Sequence, residues 1–136
     1  MKHEELTEKV IGVFYSVYRE LGYGFLESVY EEAMDLSLVE SGLSVTRQLL
    51  VPVWYHGKKI GEFKADLVVN NLVLVELKAD KQLEQVHESQ TLNYLRATDF
   101  EVALLFNFGP QAKFKRLVFD NERKAGKVYA ASASQK

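Results

Sequence analysis

Two carboxylates held a few ångströms apart repel when ionised, and a hard divalent cation between them relieves the repulsion. The stretch FKADLVVNNLVLVELKA, residues 63–79, offers such a pair in Asp66 and Glu76, with an ammonium close by in Lys78. It reads as two strands joined by a turn at Asn70-Asn71, which pairs positions summing to about 141 and sets Asp66 opposite residue 75. One register step or the twist of the sheet then brings Asp66 beside Glu76. Side chains alternate, so Glu76 and Lys78 share a face with Leu72 and Leu74, while Val73, Val75 and Leu77 take the other. Charges on a buried strand are costly unless paired, hydrogen-bonded or bound to a metal. Mg²⁺ (or Mn²⁺) suits such a pair, because it takes oxygen ligands, keeps several waters and needs few carboxylates beside substrate phosphate oxygens. Lys78 would orient the attacking water or neutralise charge growing on phosphorus. The same residues also allow strand-end ion pairs, Glu76 with Lys64 or Lys78 with Asp66.

The elements that must position these groups are legible from periodicity. Leu6, Val10, Val13, Phe14, Val17, Tyr18 and Leu21 recur at helical spacing and predict a helix over residues 3–21, stopped by Gly22-Tyr23-Gly24. A second helix is expected over residues 25–41, with Leu26, Val29, Tyr30, Ala33, Leu36 and Val39 as its apolar face and Ser28, Glu31, Glu32 and Asp35 as its polar one. Glu27 lies in line with Tyr30 and Met34 on the flank of the apolar stripe. It can serve a site, or it can complement the helix dipole and nothing more. From Val45 the period becomes two. Residues 46–55 predict a strand, at a sheet edge because of Pro52, and His56-Gly57 a hairpin turn into a strand over residues 59–69. Residues 72–79 follow as a third strand, residues 82–97 as a helix, residues 101–108 as a buried strand and residues 114–119 as a short last one.

The order α-α-β-β-β-α-β-β gives an α/β (α+β) fold, a mixed β-sheet flanked by helices, with the third and fourth strands parallel across their helical crossover. At 136 residues one domain is expected, over residues 1–120, with residues 121–136 a polar, loosely ordered tail. The absence of cysteine excludes disulfides and thiolate metal sites. No apolar run approaches the roughly 18–20 residues of a membrane span, and MKHEELTEKV lacks the apolar region of a signal peptide. A cytoplasmic location is the expectation. Charge is uneven: −6 over residues 1–44, −1 over residues 45–110 and +5 over residues 111–136. An acidic chain binds phosphates poorly alone, so the basic C-terminal segment, a dimer or a partner protein would have to supply that surface.

Asp66 with Glu76-Leu77-Lys78 on consecutive strands, after an N-terminal helix and before another, resembles the PD-(D/E)xK nuclease superfamily. Gln90-Thr91-Leu92-Asn93-Tyr94 is similar to the QxxxY motif of its RecB-like branch, and Gly24-Phe25-Leu26-Glu27-Ser28-Val29-Tyr30 to the signature of the small GxxExxY family. The resemblance covers residues 5–120 and departs from the name motif only in Ala65, where a proline would precede the aspartate. It implies a restriction-endonuclease-like core and metal-dependent hydrolysis of phosphodiester bonds in nucleic acid, with DNA as the partner. Carried over, Asp66, Glu76 and the Leu77 carbonyl resemble the metal ligands, Lys78 the catalytic lysine and Glu27 an additional catalytic carboxylate. Gln90 and Tyr94 resemble the motif that braces the site or contacts the nucleic-acid backbone, and with Tyr30 they are expected on the substrate side. The alternative it leaves open is a catalytically silent module of the same fold that binds nucleic acid or a partner protein. His87, one turn before Gln90, supports the site or is an ordinary half-exposed histidine.

Overall fold

Stretches with a period of 3.6 and stretches with a period of two become the elements they predict, with ends shifted by one to three residues. The computed structural model describes residues 2–124. In chain order the elements are α1 (Glu4–Leu21), α2 (Glu27–Glu40), β1 (Val45–Tyr55), β2 (Lys58–Val69), β3 (Val73–Lys78), α3 (Gln85–Arg96), β4 (Val102–Phe108) and β5 (Ala112–Val118). The five strands form one sheet in the order β1-β2-β3-β4-β5, with only β3 and β4 parallel. This is the mixed α/β architecture expected, and β1 lies at a sheet edge, where Pro52 needs no second ladder. Of the segment expected to be a loose tail, Asn121–Lys124 forms a 3-10 turn, with the Lys124 ammonium buried and donating to the Thr98 and Phe100 carbonyls. Residues 125–136 lie outside the described residues.

The larger core fills the space between α1, α2 and one sheet face. Val10, Phe14 and Val17 from α1 and Tyr30, Met34 and Leu38 from α2 meet Leu67, Val69, Val73, Val75, Leu77, Phe106 and Phe108. Two stacked aromatic pairs tie helices to β4: Phe14 on Phe106 at 4.3 Å and Tyr30 on Phe108 at 4.1 Å between ring centroids. Such pairs add about 0.5–1.5 kcal/mol beyond their area. The smaller core, on the opposite face under α3, comprises Ala65, Val68, Leu74, Leu95 and Ala103.

The expected apolar face of α2 needs correction. Tyr30, Met34 and Leu38, spaced by four, are fully buried, whereas Leu26 is 76% exposed, Leu36 62%, and Val29 and Val39 also face solvent. The helix is apolar on two stripes, and the sheet accepts the one that carries the large Tyr30 ring. The turn after β2 also differs. Asn70 and Asn71 both take positive φ, and the Leu72 N–H closes onto the Val69 carbonyl at 3.0 Å, but the ladder resumes with Val69 opposite Val73. Leu72 is therefore left unpaired, and paired positions sum to 142 rather than 141. That extra residue is the register step that sets Asp66 level with Glu76.

The end of β4 is fastened to the loop after β3. Buried Asn107 accepts from the Asp80 N–H at 2.9 Å and donates to the Asp80 carbonyl at 3.0 Å. Gly109 packs beside this clamp, and its carbonyl accepts from the Tyr18 hydroxyl at 2.7 Å. A Cβ on Gly109 would lie 2.4 Å from the Asp80 carbonyl oxygen and 2.7 Å from Asn107 Nδ2. Gly109→Ala is expected to cost about 1–3 kcal/mol by overpacking, lowering the melting temperature by about 5–10 °C in a thermal melt.

Candidate active site

The β2–β3 ladder pairs Val69 with Val73, Val68 with Leu74 and Leu67 with Val75, and then stops. On the next rung, side chains take over from backbone. The Asp66 N–H donates to Glu76 Oε2 at 2.9 Å, and the Leu77 N–H donates to Asp66 Oδ2 at 2.8 Å. Each carboxylate satisfies an N–H that the opened ladder would orphan, and each leaves one oxygen that accepts no hydrogen bond from the described residues. β1 is irregular at the same level. Arg47 pairs with Leu67 and Leu49 with Ala65, but Gln48 between them takes φ 51°. Along β2, Leu67 packs into the α1/α2 core and Ala65, two residues away, into the α3 core, so the alternation breaks at Asp66. The break frees Asp66 to reach across to β3.

The electrostatics follow from burial without neutralisation. Glu76 is only 6% exposed, and burial together with the negative charge of Asp66 raises its pKa to about 8. Burial likewise raises Asp66, opposed by the Leu77 N–H and by Lys78 and reinforced by the charges of Glu31 and Glu27. Lys78, half-buried where β3 ends, lowers both carboxylates without cancelling the penalty. Glu27 is exposed at the start of α2, within electrostatic range of both carboxylates. Among the described residues, however, no three Asp, Glu, His or Cys groups come close enough to hold a metal together. The donor set is two carboxylates, with the Leu77 backbone beside them. All-oxygen and anionic, it fits a hard divalent cation with remaining positions for water and substrate.

The other expected residues fall in different places. On α3, Tyr94 stacks on Phe63 at 3.7 Å, and burial with the charges of Glu76 and Asp66 raises its pKa. Gln90 is exposed one turn earlier on the same helix. His87 caps that helix by accepting the Glu84 N–H at 3.1 Å and faces Asp80 at 3.4 Å. Tyr30 corrects the expectation of substrate contact. It is fully buried, donates to the Gly22 carbonyl at 2.7 Å and accepts the Phe25 N–H, so it shapes the loop that presents Glu27. One residue escaped the sequence reading. Glu31 takes both Arg47 and Gln48, at 2.9 and 2.7 Å, and its charge raises the Asp66 pKa. Its signal was the four-residue step from Glu27 along one side of α2.

A model of the PD-(D/E)XK nuclease superfamily matches residues 4–117, and the five-stranded mixed sheet flanked by helices fits the restriction-endonuclease-like fold. No curated protein and no solved structure matches the chain.

The raised Glu76 pKa has a stability sign. Between about pH 4.5 and 8 the folded state holds a proton that the unfolded state releases, so metal-free stability falls as pH rises through that window. Glu76→Gln keeps the acceptor without the charge. At pH 8 to 9 in EDTA it should melt above wild type, by on the order of 1–2 kcal/mol, and the gap should close near pH 4.5.

Proposed function

The chain belongs to the PD-(D/E)XK nuclease superfamily, and from that premise we propose that it is a nuclease hydrolysing phosphodiester bonds, with DNA as the substrate. Within the superfamily we assign it to the GxxExxY family and the RecB-like branch, on Glu27 and Tyr30 in the one motif and Gln90 and Tyr94 in the other. The functional unit is one domain over residues 1–120, and a cytoplasmic location belongs to the same reading.

The observation that supports this most is the pair of carboxylates that face each other across an opened ladder, each with an oxygen to spare and neither fully neutralised. Asp66, Glu76 and the Leu77 carbonyl would hold Mg²⁺ or Mn²⁺. When bound, such an ion lowers the pKa of a coordinated water and polarises the phosphoryl oxygen. Lys78 places its ammonium beside the scissile phosphate, where it orients the attacking water and stabilises the charge that develops on the phosphoryl oxygens. Glu27 adds negative charge at the mouth of the site and accepts a hydrogen bond from water there. Gln90 and Tyr94 steady the nucleic-acid backbone along the exposed edge of α3.

Glu27 stands too far off to complete a three-carboxylate cluster, and that observation favours a second reading. In it the chain is a nuclease-fold module that binds nucleic acid or a partner protein without turnover.

Hydrolysis of DNA or RNA by the purified protein should need Mg²⁺ or Mn²⁺ and stop with EDTA. Asp66→Ala, Glu76→Ala and Lys78→Ala should each slow it by at least ~100-fold. Titration calorimetry should show Mn²⁺ binding that the double Asp66→Ala, Glu76→Ala variant lacks. No cleavage together with no metal binding would sink the enzymatic reading. Salt-dependent DNA binding that survives alanine at both Glu76 and Lys78, with no cleavage, would establish the second.

A further inference from the structure

The first two strands are much longer than the third. β2 pairs with β3 only through Leu67, Val68 and Val69, yet it pairs with β1 from Val69 down to Lys58. Residues 49–64 therefore leave the sheet as a two-stranded ribbon. Its root is held: Phe63 stacks on Tyr94, and Val53, Phe63, Asn93, Tyr94, Arg96 and Ala97 line a cleft of about 280 Å³ between the ribbon and α3. Its outer half is not held. Every residue from Tyr55 to Glu62 is exposed, with Tyr55 at 50% and Ile60 at 64%. At about 3.3 Å per residue, the eight residues from Lys58 to Ala65 span roughly 25 Å.

The ribbon is also chemically unlike its surroundings. It carries Lys58, Lys59 and Lys64 against one acid, Glu62, in a chain whose first 44 residues sum to −6. Lys59 pairs with Glu62, while Lys58 and Lys64 make no ion pair among the described residues. The tip is stiff, because His56 and Gly57 form a two-residue turn with both φ positive and the Tyr55 ring stacks on His56 at 4.0 Å. A bulge opposite Val53 and Trp54 leaves Ile60 without a partner and increases the local twist. Lys64 precedes Asp66 by two residues on one strand, and Arg96 lines the cleft at the root. Along β2, Lys58, Lys59 and Lys64 thus lie between the tip and Asp66.

A twisted, stiff, cationic two-stranded ribbon has the dimensions to enter the major groove of B-form DNA, which is about 12 Å wide. We propose that the β1–β2 ribbon is an arm that lies in the groove of duplex DNA and presents the duplex to the Asp66–Glu76 site; the proposal rests on the nuclease reading of that site. Lys58, Lys59 and Lys64 meet the phosphate walls, and Ile60 and Tyr55 provide apolar contact along the groove. The deep, narrow major groove of duplex RNA does not admit such an arm.

The test is equilibrium binding by fluorescence anisotropy in EDTA, so that binding is read without cleavage, on duplex DNA, duplex RNA and single-stranded DNA of equal length. The variants are K58A/K59A/K64A and, as a charge control on exposed positions of α1, K9A/R19A. The arm variant should lose at least ~10-fold in duplex-DNA affinity near 0.1 M salt, with a salt slope shallower by about 2–3. Wild type should prefer duplex DNA over duplex RNA, and the arm variant should lose that preference. The control should change duplex-DNA affinity by less than a third as much in log units. Unchanged duplex binding by the arm variant overturns the proposal and leaves the ribbon to a protein partner. An equal loss on single strands, or an equal loss in the control, overturns it too, because the ribbon would then act only as diffuse charge. Circular dichroism and a melt confirm that the variants fold. Mn²⁺-dependent hydrolysis of bis(p-nitrophenyl) phosphate by wild type tests the nuclease reading separately. Salt-dependent duplex binding through the arm with no diester hydrolysis would keep the arm and discard the activity.

Discussion

At one rung of the sheet, two backbone N–H groups are satisfied by carboxylates instead of carbonyls. Asp66 and Glu76 each hold the other's strand, and this exchange governs what surrounds it. It ends the β2–β3 ladder while both strands continue, which lets the β1–β2 ribbon diverge from the sheet. It also fixes both side chains from two directions, backbone and hydrogen bond, so their free oxygens are set before any ligand arrives. The cost is like charge in a desolvated place, expressed in the raised pKa of both acids. Lys78 and the N–H donors offset part of it. The remainder is the driving force with which a cation would be drawn in.

Such a strained rung needs rigid neighbours. The stacked pairs Phe14–Phe106 and Tyr30–Phe108 press both N-terminal helices onto β4, which runs parallel beside the strand carrying Glu76 and Lys78. Asn107 then grips both backbone groups of Asp80, two residues beyond Lys78, so the strand cannot fray where its ammonium must be placed. On the other face, Phe63 against Tyr94 closes the site from the α3 side. Each support arrives from a different element, and each fastens a residue within a few positions of the chemistry.

Much of this was legible in sequence because periodicity reports burial. The helical spacing in α1 and the alternation through β2 and β3 gave the elements, and the crossover gave the parallel pair. What failed was orientation wherever more than one answer is apolar. Helix α2 has two apolar stripes, and only packing against Phe108 decides that Tyr30, Met34 and Leu38 turn inward. Local backbone features were equally hidden. Nothing in the residue type of Gln48 announces a positive φ, so neither the break at Asp66 nor the clasp of Glu31 by Gln48 could be anticipated. Tyr30 shows the limit of carrying a role over by resemblance: its motif marks a residue that shapes the loop, and its burial removes it from substrate.

The three-residue turn between β2 and β3 separates the length of the turn from the register of the site. Surface turns ordinarily accept insertions and deletions, since loop-closure entropy varies slowly with length. Leu72 lies outside the ladder, and without it Asn70 and Asn71, both at positive φ, would still join Val69 to Val73 as a two-residue hairpin. Asp66 would then still stand level with Glu76. A slip in which Leu72 itself pairs with Val69 is what would turn every side chain of β3 to the opposite face and set Asp66 against Val75. Burial of Val73, Val75 and Leu77 and the parallel ladder to β4 oppose that slip, so the turn is freer to change its length than the strands are to slide.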